Sequence, residues 1–414
     1  MGPRAVNRAS AAYRWNILAL LAGSQAIAYI DRVNFAVVGP QLIRVYHYTP
    51  GEVGLLLSIF NWAFTISLLA AGPLTDWIRP RRSYPLGVAT WSLATALCSL
   101  TKTFAPLAAF VALLGTGESV MIPSGARVIR ETFDKKNRAF AVGVFFAGNK
   151  VGLTLGIPLA SVVLSSLGWE WVFYITGALG LLWVLWWLAV YRTPPRGAAP
   201  ADNGQAKIEW AALLRYRTTW GVILGQGGYL YIYTVFATWL PGYLVLQRGM
   251  SVLTTGFVGM LPFLLGTACT VLGGWAGDRL IQAGWRATPV RKGFAGGGLF
   301  CATCFTVAGA YTSDTTLAVT LLTLAVVSFS FATASVNSMA IDVAPPHIVS
   351  SLVSLQNFGG GVGASFAPVV TGLLISTSGD FTRPLLVAAG IALIFGCGSY
   401  SFIVGNLDSE LGKR

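Results

Sequence analysis

Four ionisable side chains stand inside stretches of sequence that are otherwise apolar: Asp31, Arg32, Glu118 and Lys150. A charge at the centre of a membrane helix costs at least ~2.5–3.5 kcal/mol, so each is expected to face a protein cavity or a partner rather than lipid. A carboxylic acid in a low-dielectric interior can gain and lose a proton near neutral pH, and Asp31 and Glu118 are the only acids in the spans. Arg32 keeps its charge and presents a planar fork suited to a carboxylate. Buried ion pairs that merely hold helices together are the plainer reading. Such pairs are weak devices for stability, however, and intramembrane charges mark solute pathways and proton relays. Asp31 and Arg32 are neighbours, so on a helix they point about 100° apart. Gln25, Tyr29 and Arg32 share one face by i, i+4, i+7 spacing, and Asp31 shares another with Asn34. One face can contact a solute while the other handles a proton.

Further polar residues lie within apolar runs: Asn61, Asn149, Gln226, Tyr229, Tyr231, Tyr233, Asn337, Gln356 and Asn357. Each can line a cavity or equally make an interhelical hydrogen bond. Gln226, Tyr229 and Tyr233 share a face by i, i+3, i+7 spacing, which favours that group. Gly359-Gly360-Gly361 reads as close helix packing. His47 and His347 fall in loops, and Cys301-Ala-Thr-Cys304 has no second pair or nearby His to complete a metal site. With no P-loop and no Ser/His/Asp constellation, neither an enzyme nor a bound cofactor or metal is expected.

The elements that must position these residues are helices in a bilayer. Of 414 residues 55% are hydrophobic and 10% charged, whereas soluble domains carry charge at about a quarter of positions. Fourteen Trp and fourteen Tyr suit the headgroup layer. Reading for apolar runs of roughly 20 residues gives twelve spans. They cover 15–38, 53–75, 83–101, 105–127, 139–165, 171–191, 218–246, 253–276, 293–311, 315–338, 349–377 and 384–405. The first reads as a span and not a cleaved leader. Arg192 to Arg217, rich in Pro, Gly and polar residues, reads as a linker between six runs and six more. With the N-terminus in the cytoplasm, 22 of the 28 Lys and Arg face that side. The +13 net charge is therefore positive-inside bias and not a nucleic-acid surface, and both termini are expected inside. Rises of 1.5 Å per residue put all four intramembrane charges in the middle band of a ~30 Å core.

The halves repeat. Gly72-Pro-Leu-Thr-Asp76 follows the second run, and Gly274-Trp-Ala-Gly-Asp278-Arg279 follows the eighth, 202 residues on (274 minus 72), each with basic residues after it. Repeated halves around a midplane site are a signature of secondary transporters. The chain resembles the major facilitator superfamily, whose loop motif reads roughly G-x-x-x-D-R-x-G-R. The first copy departs from it, with Trp77, Arg79 and Pro80 in place of Arg, Gly and Arg. The loop acid is expected to cap a helix N-terminus across the domain seam and so favour one gate state.

Within that superfamily, Tyr29-Ile-Asp31-Arg32-Val-Asn34-Phe-Ala-Val resembles the signature of the anion:cation symporter branch, which includes transporters of galactonate, glucarate and hexuronates. Gly117-Glu118, Asn137-Arg138-Ala139, Gly168-Trp169, Thr238-Trp239-Leu-Pro241 and Gln356-Asn357-Phe-Gly359-Gly360 match as well. The resemblance implies proton coupling by Asp31 and Glu118, an anion site at Arg32, and contact with sugar-acid hydroxyls at Asn149. It covers nearly the whole chain. Two departures stand out: Val111 replaces an Arg two turns before the helix-four Glu, and Phe64 replaces a helix-two Tyr. Lys150 stands where the family has an apolar residue. It either replaces the lost Arg as a second cation or pairs with Glu118 and holds it ionised.

The expectation is an all-α membrane protein of twelve transmembrane helices in two pseudo-symmetric six-helix halves, 1–192 and 218–414, joined by a cytoplasmic linker at 193–217. By alternating access it would carry a small organic anion with protons, the anion being a sugar acid such as a hexonate, hexuronate or aldarate. Substrate would meet Arg32, Tyr29, Lys150, Asn149, Asn34, Gln226, Tyr229, Tyr233, Gln356 and Asn357, with Gly72, Asp76, Gly274, Asp278 and Arg279 in the gating loops. The alternative on the same fold is a facilitator or a proton-antiport exporter of another small solute or drug. A monomer is expected, without nucleic-acid partners. Short termini and the lack of an Asn-x-Ser/Thr acceptor point to a bacterial inner membrane.

Overall fold

A computed structural model of the chain describes residues 11–101, 103–133, 135–192, 213–343 and 349–405. Twelve helices run through them: α1 (Ala11–Tyr46), α2 (Pro50–Ile78), α3 (Pro80–Cys98), α4 (Phe104–Thr132), α5 (Lys135–Leu167), α6 (Trp169–Val190), α7 (Arg217–Leu246), α8 (Val252–Gln282), α9 (Ala287–Tyr311), α10 (Thr315–Val343), α11 (Val349–Ser378) and α12 (Thr382–Ile403). Ten are long and apolar enough to cross a membrane by length and composition. The other two are α1, which carries Asp31, Arg32 and several amides, and α3, which begins Pro-Arg-Arg. Position 102 and most of the expected linker, 193–212, lie outside the described residues.

Local chemistry sets the boundaries. Thr49 and Glu52 form a reciprocal capping box at the start of α2: the Thr49 N–H donates to Glu52 Oε2 (2.8 Å) and the Glu52 N–H to Thr49 Oγ1 (3.1 Å). Ser251 Oγ accepts the Thr254 N–H (3.1 Å) ahead of α8. Gly168 between α5 and α6 takes φ 100°, a backbone that favours glycine. Within α4 the helix breaks between Ser119 and Met121. Pro123 has no N–H to offer the Ser119 carbonyl, which removes one rung there.

The described residues divide into two compact units. One gathers those of Met1–Val38 and Ile59–Gly204, the other those of Gly39–Ser58 and Gln205–Arg414. The end of α1 and the start of α2 thus pack with the second unit, although the reading by halves places them in the first. Inside that unit the Gly51 N–H donates to Ser376 Oγ (3.0 Å) and the Val369 N–H to Ser58 Oγ (3.0 Å).

The first unit is built on α1. Gly148, Gly152 and Gly156 form a stripe on α5, and a Cβ on any of them would run into α1 at Ala22, Ala26 or Ile30 and Val33. On its other side α1 meets an aromatic stack. Tyr84, Trp183, Trp187 and Tyr191 follow one another with ring centroids 5.0, 5.2 and 4.3 Å apart, and Ser24 Oγ lies 2.6 Å from the Tyr84 hydroxyl. Large apolar side chains also point outward: Leu69, Val271 and Phe402 are 77%, 69% and 76% exposed, as a lipid-facing surface requires.

Candidate functional site

In the first unit, α1, α2 and α4 bring a cation, an acid and three rings together. Arg32 donates to Glu118 Oε2 through Nε (2.9 Å) and Nη2 (2.7 Å). Glu118 is fully buried, whereas the Arg32 side chain is 24% exposed. The guanidinium lies 4.7 Å from the Tyr29 ring centroid and 5.0 Å from those of Phe60 and Phe64. Each is within cation–π range. Phe64, the departure noted on α2, is therefore a wall of this cage. Glu118 takes its place directly after Gly117 and just before the break in α4. Glu118 Oε1 has no hydrogen-bond partner among the described residues.

Asp31 points about 100° round α1 from Arg32. It is buried at 1% exposure. The Asn34 amide donates to Asp31 Oδ1 (3.5 Å) and to Thr176 Oγ1 on α6 (2.9 Å). Asp31 and Glu118 thus take different hydrogen-bond partners within one unit. Asn149 and Lys150 sit partly buried on α5, beside its glycine stripe.

In the second unit Gln226, Gln356 and Tyr400 form a buried knot. Gln356 Nε2 lies 2.7 Å from the Val336 carbonyl, 3.3 Å from Gln226 Oε1 and 3.4 Å from the Tyr400 hydroxyl. The Tyr400 hydroxyl donates to Gln226 Oε1 (3.2 Å), and Gln226 Nε2 to Asn337 Oδ1 (3.4 Å). Tyr400 comes from the π-helical second half of α12 and lies flat on Gly225, where a Cβ would strike its ring. Tyr229 meets Thr333 Oγ1 at 2.8 Å and stacks on Tyr233, with Phe329 edge-on to both. Asn357 is exposed and takes no part in these bonds.

The repeated loop motifs end in ion clusters. Arg127 of α4 donates to Asp76 (2.9 Å), to Glu131 (2.9 Å) and to the Thr75 carbonyl (3.0 Å). The partner the structure gives Asp76 is thus a guanidinium of its own unit. The Tyr191 hydroxyl donates to Glu131 (3.2 Å). In the second unit Arg291 of α9 holds Asp278 (2.7 Å) and Asp342 (3.0 Å). Arg279 instead lies over Trp275, 5.6 Å from its centroid. A Cβ on Gly72 would meet nothing, and one on Gly274 only Ala334.

Residues 21–368 match the model of the Major Facilitator Superfamily. The chain belongs to that superfamily. The fold is accordingly the superfamily's twelve-helix fold of two pseudo-symmetric halves, and the protein is a multi-pass integral membrane protein whose family and fold are those of transporters and not of an enzyme. It is 30% identical over 399 residues to the "Probable L-galactonate transporter" of Escherichia coli strain K12, covering 93% of this chain and 88% of that one. It is also 30% identical over 417 residues to the D-galactonate transporter of Escherichia coli O6:H1, covering 95% and 96%. The resemblance to the sugar-acid branch of the superfamily is borne out by these relatives. Among solved structures, a bacterial homologue of the human lysosomal transporter Spinster shares the fold with a TM-score of 0.82 at 20% identity, over 98% of this chain and 99% of that one.

Several residues of these sites escaped the sequence reading as participants: Phe60, Thr176, Arg127, Glu131, Arg291, Thr333 and Tyr400. Only Arg127 and Glu131 carried a local signal, their i, i+4 spacing of opposite charges.

Proposed function

We propose that this transporter carries a small organic anion into the cell together with protons, and that the anion is a sugar acid of the hexonate, hexuronate or aldarate type. The observation that carries the reading is the Arg32–Glu118 pair inside its aromatic cage. An ionised Glu118 occupies the donors that a substrate carboxylate needs. A proton on Glu118 cancels the pair and frees the Arg32 fork for the incoming anion. Proton and anion then bind cooperatively, and linkage makes the effect reciprocal. The low dielectric around the pair enlarges that coupling. Asp31, held by Asn34, is the second proton site. Gln226, Tyr229, Tyr233, Gln356 and Asn357 are the second half's candidates for substrate contact. The galactonate relatives support a polyhydroxy acid as the substrate. Alternating access between the halves would deliver it, with the gating loops at Gly72, Asp76, Gly274, Asp278 and Arg279 favouring one state. The protein is proposed to work as a monomer in a bacterial inner membrane with both termini inside.

Proteoliposomes loaded at neutral pH and placed in acidic buffer test this with labelled D-galactonate. Uptake is expected to exceed the equilibrium level and to collapse with a protonophore. Glu118→Gln mimics the protonated acid and is expected to keep counterflow exchange while losing gradient-driven accumulation. Accumulation that ignores the proton gradient in the wild-type protein would sink the symport reading in favour of a facilitator.

A further inference from the structure

Gln25 is a buried amide with nothing to bond. It lies on α1 at 1% exposure, and neither Nε2 nor Oε1 has a hydrogen-bond partner among the described residues. Leaving such groups unpaired in a protein interior is unfavourable, and native structures rarely do so without a reason. Its position supplies one. Seven residues separate Gln25 from Arg32, which places the two on one helix face about 10 Å apart along the axis. Side chains on a helix tilt toward its N-terminus, so Arg32 leans back toward Gln25. The contact of its guanidinium with the Tyr29 ring, between them in sequence, agrees with that lean. The Cβ of Gln25 lies against Gly148 of α5. The next residue is Asn149, whose Oδ1 is also buried without a partner. Glu118 Oε1, on the acid paired with Arg32, is a further one.

These unpartnered atoms comprise three acceptors and one donor, contributed by α1, α4 and α5. A carboxylate cannot satisfy acceptors. A hydroxyl can, since it donates one hydrogen bond and accepts others. We propose that Gln25 is a substrate-reading residue whose side-chain amide, together with Asn149, hydrogen-bonds a hydroxyl of the organic acid whose carboxylate Arg32 holds. The proposal rests on the organic-acid reading above and narrows it to hydroxy acids. A site whose buried polar groups expect a hydroxyl rejects an analogue that lacks it, because those groups then stay unpaired.

The test uses purified full-length protein, with D-galactonate and its monodeoxy analogues as ligands, read by ligand-induced thermal shift and by uptake into proteoliposomes. Gln25→Leu keeps the volume and removes both polar ends. Wild-type protein is expected to favour D-galactonate over at least one analogue by on the order of tenfold. Gln25→Leu is expected to lower D-galactonate affinity by about the same factor, to leave that analogue within about twofold, and to melt no lower than wild type without ligand. Equal loss for both acids with a lower ligand-free melting point would assign Gln25 to helix packing and overturn the proposal. Unchanged discrimination overturns it too. Should Gln25→Leu not fold, Gln25→Asn shortens the amide by one methylene and is expected to blunt the same discrimination, while full discrimination there counts against it. Wild-type protein that responds to none of these acids overturns the sugar-acid reading and this assignment together, which no outcome confined to the variants does.

Discussion

Arg32 is asked to hold an anion while it is already held by Glu118, and its geometry explains why no other cation would serve. Two of its nitrogens converge on one oxygen of Glu118, and its flat face is open to three rings. A Lys at this position would supply charge without fork or face. Arg32→Lys is therefore expected to fold and yet lose D-galactonate uptake by roughly tenfold or more, since charge-assisted hydrogen bonds contribute about 1.5–3 kcal/mol each. Uptake within twofold of wild type would show that charge alone suffices. The cage can be probed separately. Phe60→Leu removes one ring and keeps an apolar wall, and cation–π contacts contribute about 0.5–2 kcal/mol, so affinity for the acid should fall several-fold. An isothermal titration that finds no change would detach Phe60 from the site. The charges themselves were plain in the sequence because apolar surroundings made them conspicuous. Their pairing was not, because Arg32 and Glu118 lie 86 residues apart and nothing local joins them. The divergence of Asp31 from Arg32 was legible, because helical rotation alone dictates it. The orphaned amide of Gln25 was invisible, since burial and partners belong to the tertiary structure.

At the scale of elements, helices extend beyond the apolar runs that reveal them. α1 runs Ala11–Tyr46 against an expected 15–38, and α8 runs Val252–Gln282 against 253–276. Hydropathy marks the thickness of the hydrocarbon layer, whereas backbone hydrogen bonding continues into wetter turns until a cap, a Pro or a Gly stops it. The break in α4 was visible only as Pro123. Two predictions belong here. Gly152→Leu drives a side chain into the Ala26 backbone, so it is expected to abolish the monodisperse peak in size-exclusion chromatography. Gly143→Ala, on the same helix but with nothing near its added Cβ, should elute as wild type. The second concerns Arg79, which adopts φ 62° immediately before Pro80, at the position where the superfamily's loop motif places Gly. A bulky residue held there costs on the order of 1–3 kcal/mol, partly offset by the flexibility Gly gives the unfolded chain. Arg79→Gly should raise the melting temperature by a few degrees, a net of about 1 kcal/mol. A lower melting temperature would show that the side chain earns its conformation.

For the whole molecule, the twelve-span count and the two-fold repeat followed from composition, run length and the duplicated loop motif, because lipid leaves few ways to satisfy a backbone. Basic bias between runs gives an orientation that a fusion can check. A green fluorescent protein fused to the C-terminus and expressed in a bacterial host should fluoresce, as it matures in the cytoplasm, and a dark but full-length fusion would reverse the assignment. The assignment of 39–58 to the second unit was not legible, since it arises from contacts such as Gly51 with Ser376 that join distant stretches of chain.

The two ion clusters answer the duplicated acids differently. Asp76 draws its guanidinium from α4, and Asp278 draws its own from α9. A duplicated architecture has thus kept its anions in register while recruiting their counterions independently. One latch can therefore be retuned by mutation without disturbing its twin, and lesions at matching positions in the two copies need not produce matching defects.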